Sequence, residues 1–200
     1  MANTQATFGF QQFGYQPGGS PDYQQSTRGI LKTYSTVIGF GDVVQRANAT
    51  SAYIIQGNAA TTLPIEGIFV GCSFILAGGS VQWSPYWPGN VAQADVTAYV
   101  IDAASALFKV AALNTAIVSS NIGNYINYTT GGGTINTVGQ GLSVMTVDQS
   151  TIATTTGTTA SGLPFIITGL YPGIGNGSDP TTPYNWVIVR FNNQIGRVGL

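Results

Sequence analysis

The chain predicts an all-β fold: a β-barrel or jelly-roll-like sandwich of short antiparallel strands, carrying an extended N-terminal arm. Three observations lead there. Only six basic and seven acidic residues occur in 200, a 6% charged fraction against about a quarter in an ordinary soluble domain. Hydrophobic residues make up 44% and 27 glycines punctuate them. The apolar runs are short, β-branched or aromatic, and separated by turn signals about every 8–12 residues, the spacing of sandwiches and barrels.

Residues 1–29 read differently from the rest, being rich in Gln, Gly and aromatics, with Asp22 and Arg28 their only charges. Pro17, Pro21 and the glycines forbid a helix, and no period-2 strand runs through the segment. It reads as an extended arm whose anchors are Phe8, Phe10, Phe13, Tyr15 and Tyr23. A disordered tail seldom carries five such aromatics, so the arm is expected to lie on a partner.

From residue 30 to 200 the chain reads as a single β domain. Strands are expected over Ile30–Ile38, Val43–Arg46, Ala52–Gln56, Ile65–Val70, Ser73–Leu76 and Ser80–Ser84. Further strands are expected over Ala94–Asp102, where Val96, Ala98 and Val100 form one apolar set, and over Ala106–Ala111. Asp102 is the one plausible helix N-cap, for at most a single turn. Residues 113–162 form a loop-rich, low-complexity part, with strands over Ile122–Thr129 and Leu142–Val147. The Thr-rich stretch from Thr151 to Ser161 is either an exposed loop or an edge strand on a partner. Phe165–Leu170 and Trp186–Asn192 close the domain around a long proline-punctuated loop.

The composition excludes several function classes. With no histidine the usual nucleophilic triad is impossible, and neither Lys32 nor Lys109 lies in a Ser-x-x-Lys pattern. The carboxylates stand mostly at turns and strand ends, where an Asx-turn or capping role is commonest. The expectation is a protein that is not an enzyme. One cysteine and no histidine rule out an ordinary zinc site, and the Asn176–Thr182 loop lacks the acidic density of a calcium loop. No cofactor or metal is expected. Cys72, in an apolar run, reads as a small buried thiol. The charges are scattered singly, so neither nucleic acid nor membrane is an expected partner. The N-terminus has no basic region and apolar core of a signal peptide, so the Asn-X-Ser/Thr triplets at Asn48, Asn127 and Asn176 are read as chance matches.

The densest aromatic cluster is Trp83-Ser-Pro-Tyr-Trp-Pro, a stiff knob in which Trp83, Tyr86 and Trp87 are candidates for core, for a subunit interface or for stacking on sugar rings.

Several stretches resemble virion-associated proteins of tailed bacteriophages. They are Ala6-Thr-Phe-Gly-Phe, Phe13-Gly-Tyr and Gly18-Gly-Ser-Pro-Asp-Tyr in the arm, then Gly41-Asp-Val-Val, Ile65-Glu-Gly-Ile-Phe-Val-Gly-Cys and Val81-Gln-Trp-Ser-Pro-Tyr-Trp-Pro-Gly. Ala94-Asp-Val-Thr-Ala-Tyr-Val-Ile-Asp, Asn176-Gly-Ser-Asp-Pro-Thr-Thr and Tyr184-Asn-Trp-Val complete the set, leaving out about 113–162. Together they look like the small capsid accessory, or cement (decoration), proteins. The resemblance implies a β-barrel or jelly roll on the outer shell that clamps neighbouring capsomers. Its partners would be the major capsid protein and further copies of itself, as a dimer or trimer. It would be made in the host cytoplasm and end on the capsid surface of the virion. The arm residues are the first candidates for those contacts and the knob the second. Removing residues 1–25 is expected to leave the β fold intact and abolish binding. Two alternatives stay open: a tail, adaptor or fibre component, and a glycan- or receptor-binding module displayed on the particle.

Overall fold

The computed structural model describes residues 2–6, 8–16, 25–60, 63–130, 135, 141–154 and 162–195. Among them run the strands β1 (Gln11–Tyr15), β2 (Gln25–Ile30), β3 (Val43–Arg46), β4 (Ile54–Gln56), β5 (Ile65–Ile75) and β6 (Val81–Ser84). Then follow β7 (Val96–Ile101), β8 (Ala106–Ala111), β9 (Tyr125–Tyr128), β10 (Val147–Ala153), β11 (Phe165–Leu170) and β12 (Trp186–Phe191). They form two six-stranded sheets packed as a sandwich. The first has the order β1-β8-β12-β11-β9-β10; the second has β2-β7-β5-β3-β4, with β6 added beside β5. All strand pairs within the sheets are antiparallel. The sheets keep separate edges, so the fold is a sandwich and not a closed barrel.

Two apolar clusters hold the molecule. One fills the space between the sheets, where Phe108, Ile126, Phe165, Val187, Val189 and Phe191 of the first sheet meet Val43, Ile65, Ile68 and Ile101 of the second. Its centre is aromatic: Phe165 stacks on Phe10 at 4.7 Å and on Phe191 at 5.8 Å. The other cluster lies on the second sheet's far face, where Val44, Phe69, Cys72, Phe74, Val96, Ala98 and Val100 are closed over by Ile38 and Trp87. Ile38 and Trp87 exchange both backbone hydrogen bonds, at 2.9 and 3.0 Å, which turns two loops into a lid for that face. Over β3 and the first half of β5 the second sheet is therefore buried on both sides, which is why β5 begins as a near-continuous apolar run rather than an alternation.

The register of β5 depends on a bulge. Its pairing with β7 slips between Phe69 and Gly71, and Gly71 takes a φ of +144°. The extra residue lets Phe69 and Cys72, three positions apart, reach the same cluster. What the sequence presents as two strands, Ile65–Val70 and Ser73–Leu76, is one strand bent at this glycine.

Other expectations are corrected. Ile30–Ile38 is not a strand: β2 ends at Ile30, a turn closed by Tyr34 N–H to Leu31 O follows, and the chain departs to carry Ile38 onto Trp87. Leu142–Val147 is not one either. Residues 142–146 make isolated bridges and loop hydrogen bonds, and the strand begins at Val147. The Thr-rich stretch enters β10 as far as Ala153, and residues 155–161 lie outside the described residues. At Asp102 there is a turn, Ala106 N–H to Ala103 O, and a short 3-10 turn at Ser119–Asn121 was not legible in the sequence.

The largest correction concerns the N-terminal arm. Its described residues belong to the sandwich: β1 is an edge strand on β8, and β2, which begins within residues 1–29, is an edge strand on β7. Phe10 is 1% exposed within the inter-sheet core. Removing residues 1–25 would therefore take out a strand and a central core aromatic, and is expected to destabilise the fold rather than leave it intact.

Candidate interaction surface

The aromatic candidates of the N-terminal segment are divided by the fold. Phe8 and Phe10 face inward. Phe8 completes a box of rings around Lys109, whose Nζ lies 4.6 Å from the Trp186 ring, 5.1 Å from Phe8 and 5.4 Å from Tyr171. Burial among these rings lowers the Lys109 pKa. Before Phe8, Asn3 and Thr4 are tied to the 176–182 loop, through Asn3 Nδ2 to Asp179 O at 2.8 Å and Thr4 N–H to Asn176 Oδ1 at 2.7 Å. That loop spends its oxygens on the segment and on its own turn: Asp179 Oδ1 accepts from Thr181 N–H and Oγ1. Tyr15 is half-buried against the inter-sheet core. Phe13 alone points outward, 45% exposed, edge-on to Tyr171 and lining a shallow apolar cleft with Leu107, Leu170, Pro172 and Ile188. Tyr23 lies outside the described residues.

The aromatic knob is divided as well. Trp87 is fully buried in the second cluster, edge-on to Phe74 at 5.5 Å, with its Nε1–H donating to Tyr34 O. Tyr86 is half-buried, its ring closed on Gly141, where any Cβ would collide with it. Trp83 is 61% exposed.

Trp83 does not stand alone. β6 pairs with the C-terminal half of β5, matching Ile75 with Val81 and Ser73 with Trp83. Directly paired residues share a face, so these four side chains lie together, opposite Cys72 and Phe74 in the core. Val81 is 74% exposed and Ile75 39%. The indole lies against Gly71, its Cζ2 3.2 Å from where a Cβ would stand, so the absence of a side chain there leaves room for the ring. Beside it the Ser73 and Tyr99 hydroxyls are 3.3 Å apart. Among the described residues no strand pairs with the outer edge of β6. An open edge and an apolar face thus coincide, the combination that soluble monomers usually blunt with charge.

The polar groups are committed to structure. Glu66, 4% exposed, takes Arg46 at 2.6 Å and Arg28 at 3.3 Å, and Arg28 also reaches Asp102 at 3.1 Å. Asp95 accepts from Tyr53 Oη at 2.7 Å and from Lys32 N–H, which lowers its pKa. Asp148 and Asp179 cap their own turns. Cys72 is buried, as its apolar setting suggested, and burial pushes its thiol up to about 12. A thiol so held is no nucleophile at neutral pH.

Comparison with protein-family models, with curated proteins and with solved structures finds no significant match to this chain.

Proposed function

We propose that this protein is a non-enzymatic structural component of a virion, a cement protein that binds the outer shell of a tailed-phage capsid and bridges neighbouring capsomers. The observation that carries the reading is the uncharged, exposed apolar face of Ile75, Val81 and Trp83 at the open edge of β6. The first sheet offers a second contact area, the cleft beside Phe13. A clamp needs two such areas on one rigid body. Rigidity is supplied by the sandwich, and contacts built from apolar groups hold against salt, which screens exposed charges within about 10 Å at 0.1 M. In an assembly of many copies, each weak contact is multiplied by effective concentration.

The test is co-sedimentation of the purified chain with empty, expanded heads of its own phage. Saturable binding at a fixed ratio to the coat protein, lost in a Val81→Lys/Trp83→Ala double variant, is the expected result. Absence of binding to heads overturns the reading.

A second reading has one observation in its favour. Trp83 is exposed beside the Ser73–Tyr99 hydroxyl pair, an arrangement suited to stacking on a sugar ring. Trp87, buried and spent on the core, takes no part in it. Quenching of tryptophan fluorescence by a host glycan, abolished by Trp83→Ala, is the outcome that selects this reading over the first.

A further inference from the structure

Asp42 is wholly buried where the two sheets meet. Its Oδ2 accepts hydrogen bonds from Gly39 N–H at 2.8 Å and from Gln56 Nε2, on β4, at 2.6 Å. Its Oδ1 has no hydrogen bond of good geometry; the Ser143 hydroxyl beside the carboxyl favours the ionised form, as the Gln56 and Gly39 bonds do, so it is burial that opposes the charge. None of the ion pairs among the described residues involves Asp42. The other titratable groups facing it are phenols, Tyr34 from the loop after β2 and Tyr128 from β9, and both feel its charge. Four segments converge here. Phe10 N–H donates to Gly41 O at 2.9 Å, Ser143 N–H to Phe40 O at 2.9 Å, Gly41 N–H to Phe69 O at 2.8 Å and Phe69 N–H to Asp42 O at 2.8 Å. Gly9 is pressed so closely on Ser143 and Gly41 that a Cβ would not fit.

We propose that Asp42 is a pH-sensitive latch joining the N-terminal segment, the 39–43 turn and the 141–145 segment across the seam between the sheets. In the acid form the enclosed carboxyl is neutral, and the bonds from Gly39 and Gln56 to Oδ2 are kept without the cost of a buried charge. In the ionised form, a buried charge has no ion-pair partner among the described residues, which weakens every segment that encloses it.

The sign follows from burial, which raises the Asp42 pKa to about 6. The folded state holds this proton more tightly than the unfolded chain does, so the contribution is fully present below the unfolded value near 4 and is lost as pH rises through about 6. The full chain is examined by amide hydrogen exchange at pH 5.0 and 7.5, corrected for the intrinsic pH dependence of exchange. The expected result is about tenfold greater protection of Phe10, Gly41 and Ser143 at pH 5.0, one pKa unit being tenfold. In Asp42→Asn the protection is expected to be the same at both pH values. A carboxyl ¹³C titration of wild-type Asp42 needs no variant and is expected to inflect near pH 6. Equal protection at both pH values in the wild type, an unchanged difference in Asp42→Asn, or an inflection near 4 each overturns the proposal.

Discussion

Gly71 and Trp83 form a pair in which each explains the other. The φ of +144° at Gly71 is a conformation that L side chains rarely adopt, and the space above it is filled by the indole. Gly71→Ala is therefore expected to cost about 1–3 kcal/mol, the usual penalty for forcing a side chain into such backbone. It should also lift the indole, measured as a lower midpoint in urea together with stronger acrylamide quenching of tryptophan. Lys109 shows the same dependence on neighbours. Its ammonium is held by three rings. Lys109→Met keeps most of the packing and removes the charge, so a loss of about 0.5–2 kcal/mol is expected from the cation–π contacts alone. Near-UV circular dichroism of Trp186 should change with it, and an unaltered spectrum would show that the box does not depend on the cation.

At the scale of elements, β1 is the informative case. A terminal edge strand usually contributes little, yet this segment brings Phe10 into the centre of the inter-sheet core, stacked on Phe165. Phe10→Ala is expected to cost about 3–5 kcal/mol, the range for truncating a buried phenylalanine. Phe13→Ala, three residues further on and within β1, should cost little, because its ring is half in water. Chemical denaturation of the two variants side by side checks this, and equal losses would mean that β1 contributes through its backbone pairing with β8 rather than through Phe10. The β5–β6 hairpin is the opposite case. Its inner face, Cys72 and Phe74, is fixed by the second cluster, while Ile75, Val81 and Trp83 on its outer face are exposed. Substitutions there are free to alter association without altering the fold.

For the whole molecule, the proposed function predicts that stability and assembly are separable. A Val81→Lys/Trp83→Ala variant should melt within a few degrees of the wild type, since both side chains are mostly exposed. It should nonetheless lose self-association or head binding, read by analytical ultracentrifugation and co-sedimentation. Because six basic and seven acidic residues are spread over the chain and several are paired internally, raising salt should weaken that association little. A steep loss of association between 0.05 and 0.5 M salt would point to a charged interface instead.

Much of the β grammar was local and therefore legible. Val96, Ala98 and Val100 announce β7, and Ala106–Ala111 and Phe165–Leu170 are strands with the bounds their apolar runs suggest. A buried Cys72 and the turn-capping Asp148 and Asp179 also followed from residue type, whereas the ion pairs of Glu66 and Asp102 join distant segments and did not. The roles of the aromatics did not. Phe8, Phe10 and Phe13 share one short Gly- and Gln-rich stretch, and nothing in it says that the first two face inward and the third outward; β8 and Gly41 decide that. Trp83 and Trp87 are four residues apart in one motif, but a hydrogen-bonded pairing with Ile38, far away in sequence, buries the one, and Gly71 seats the other on the surface. Periodicity and turn chemistry are short-range properties, so the sequence by itself determined an all-β protein with few charges. Which aromatics are core and which are surface depends on contacts between distant segments, and only the tertiary structure decided it.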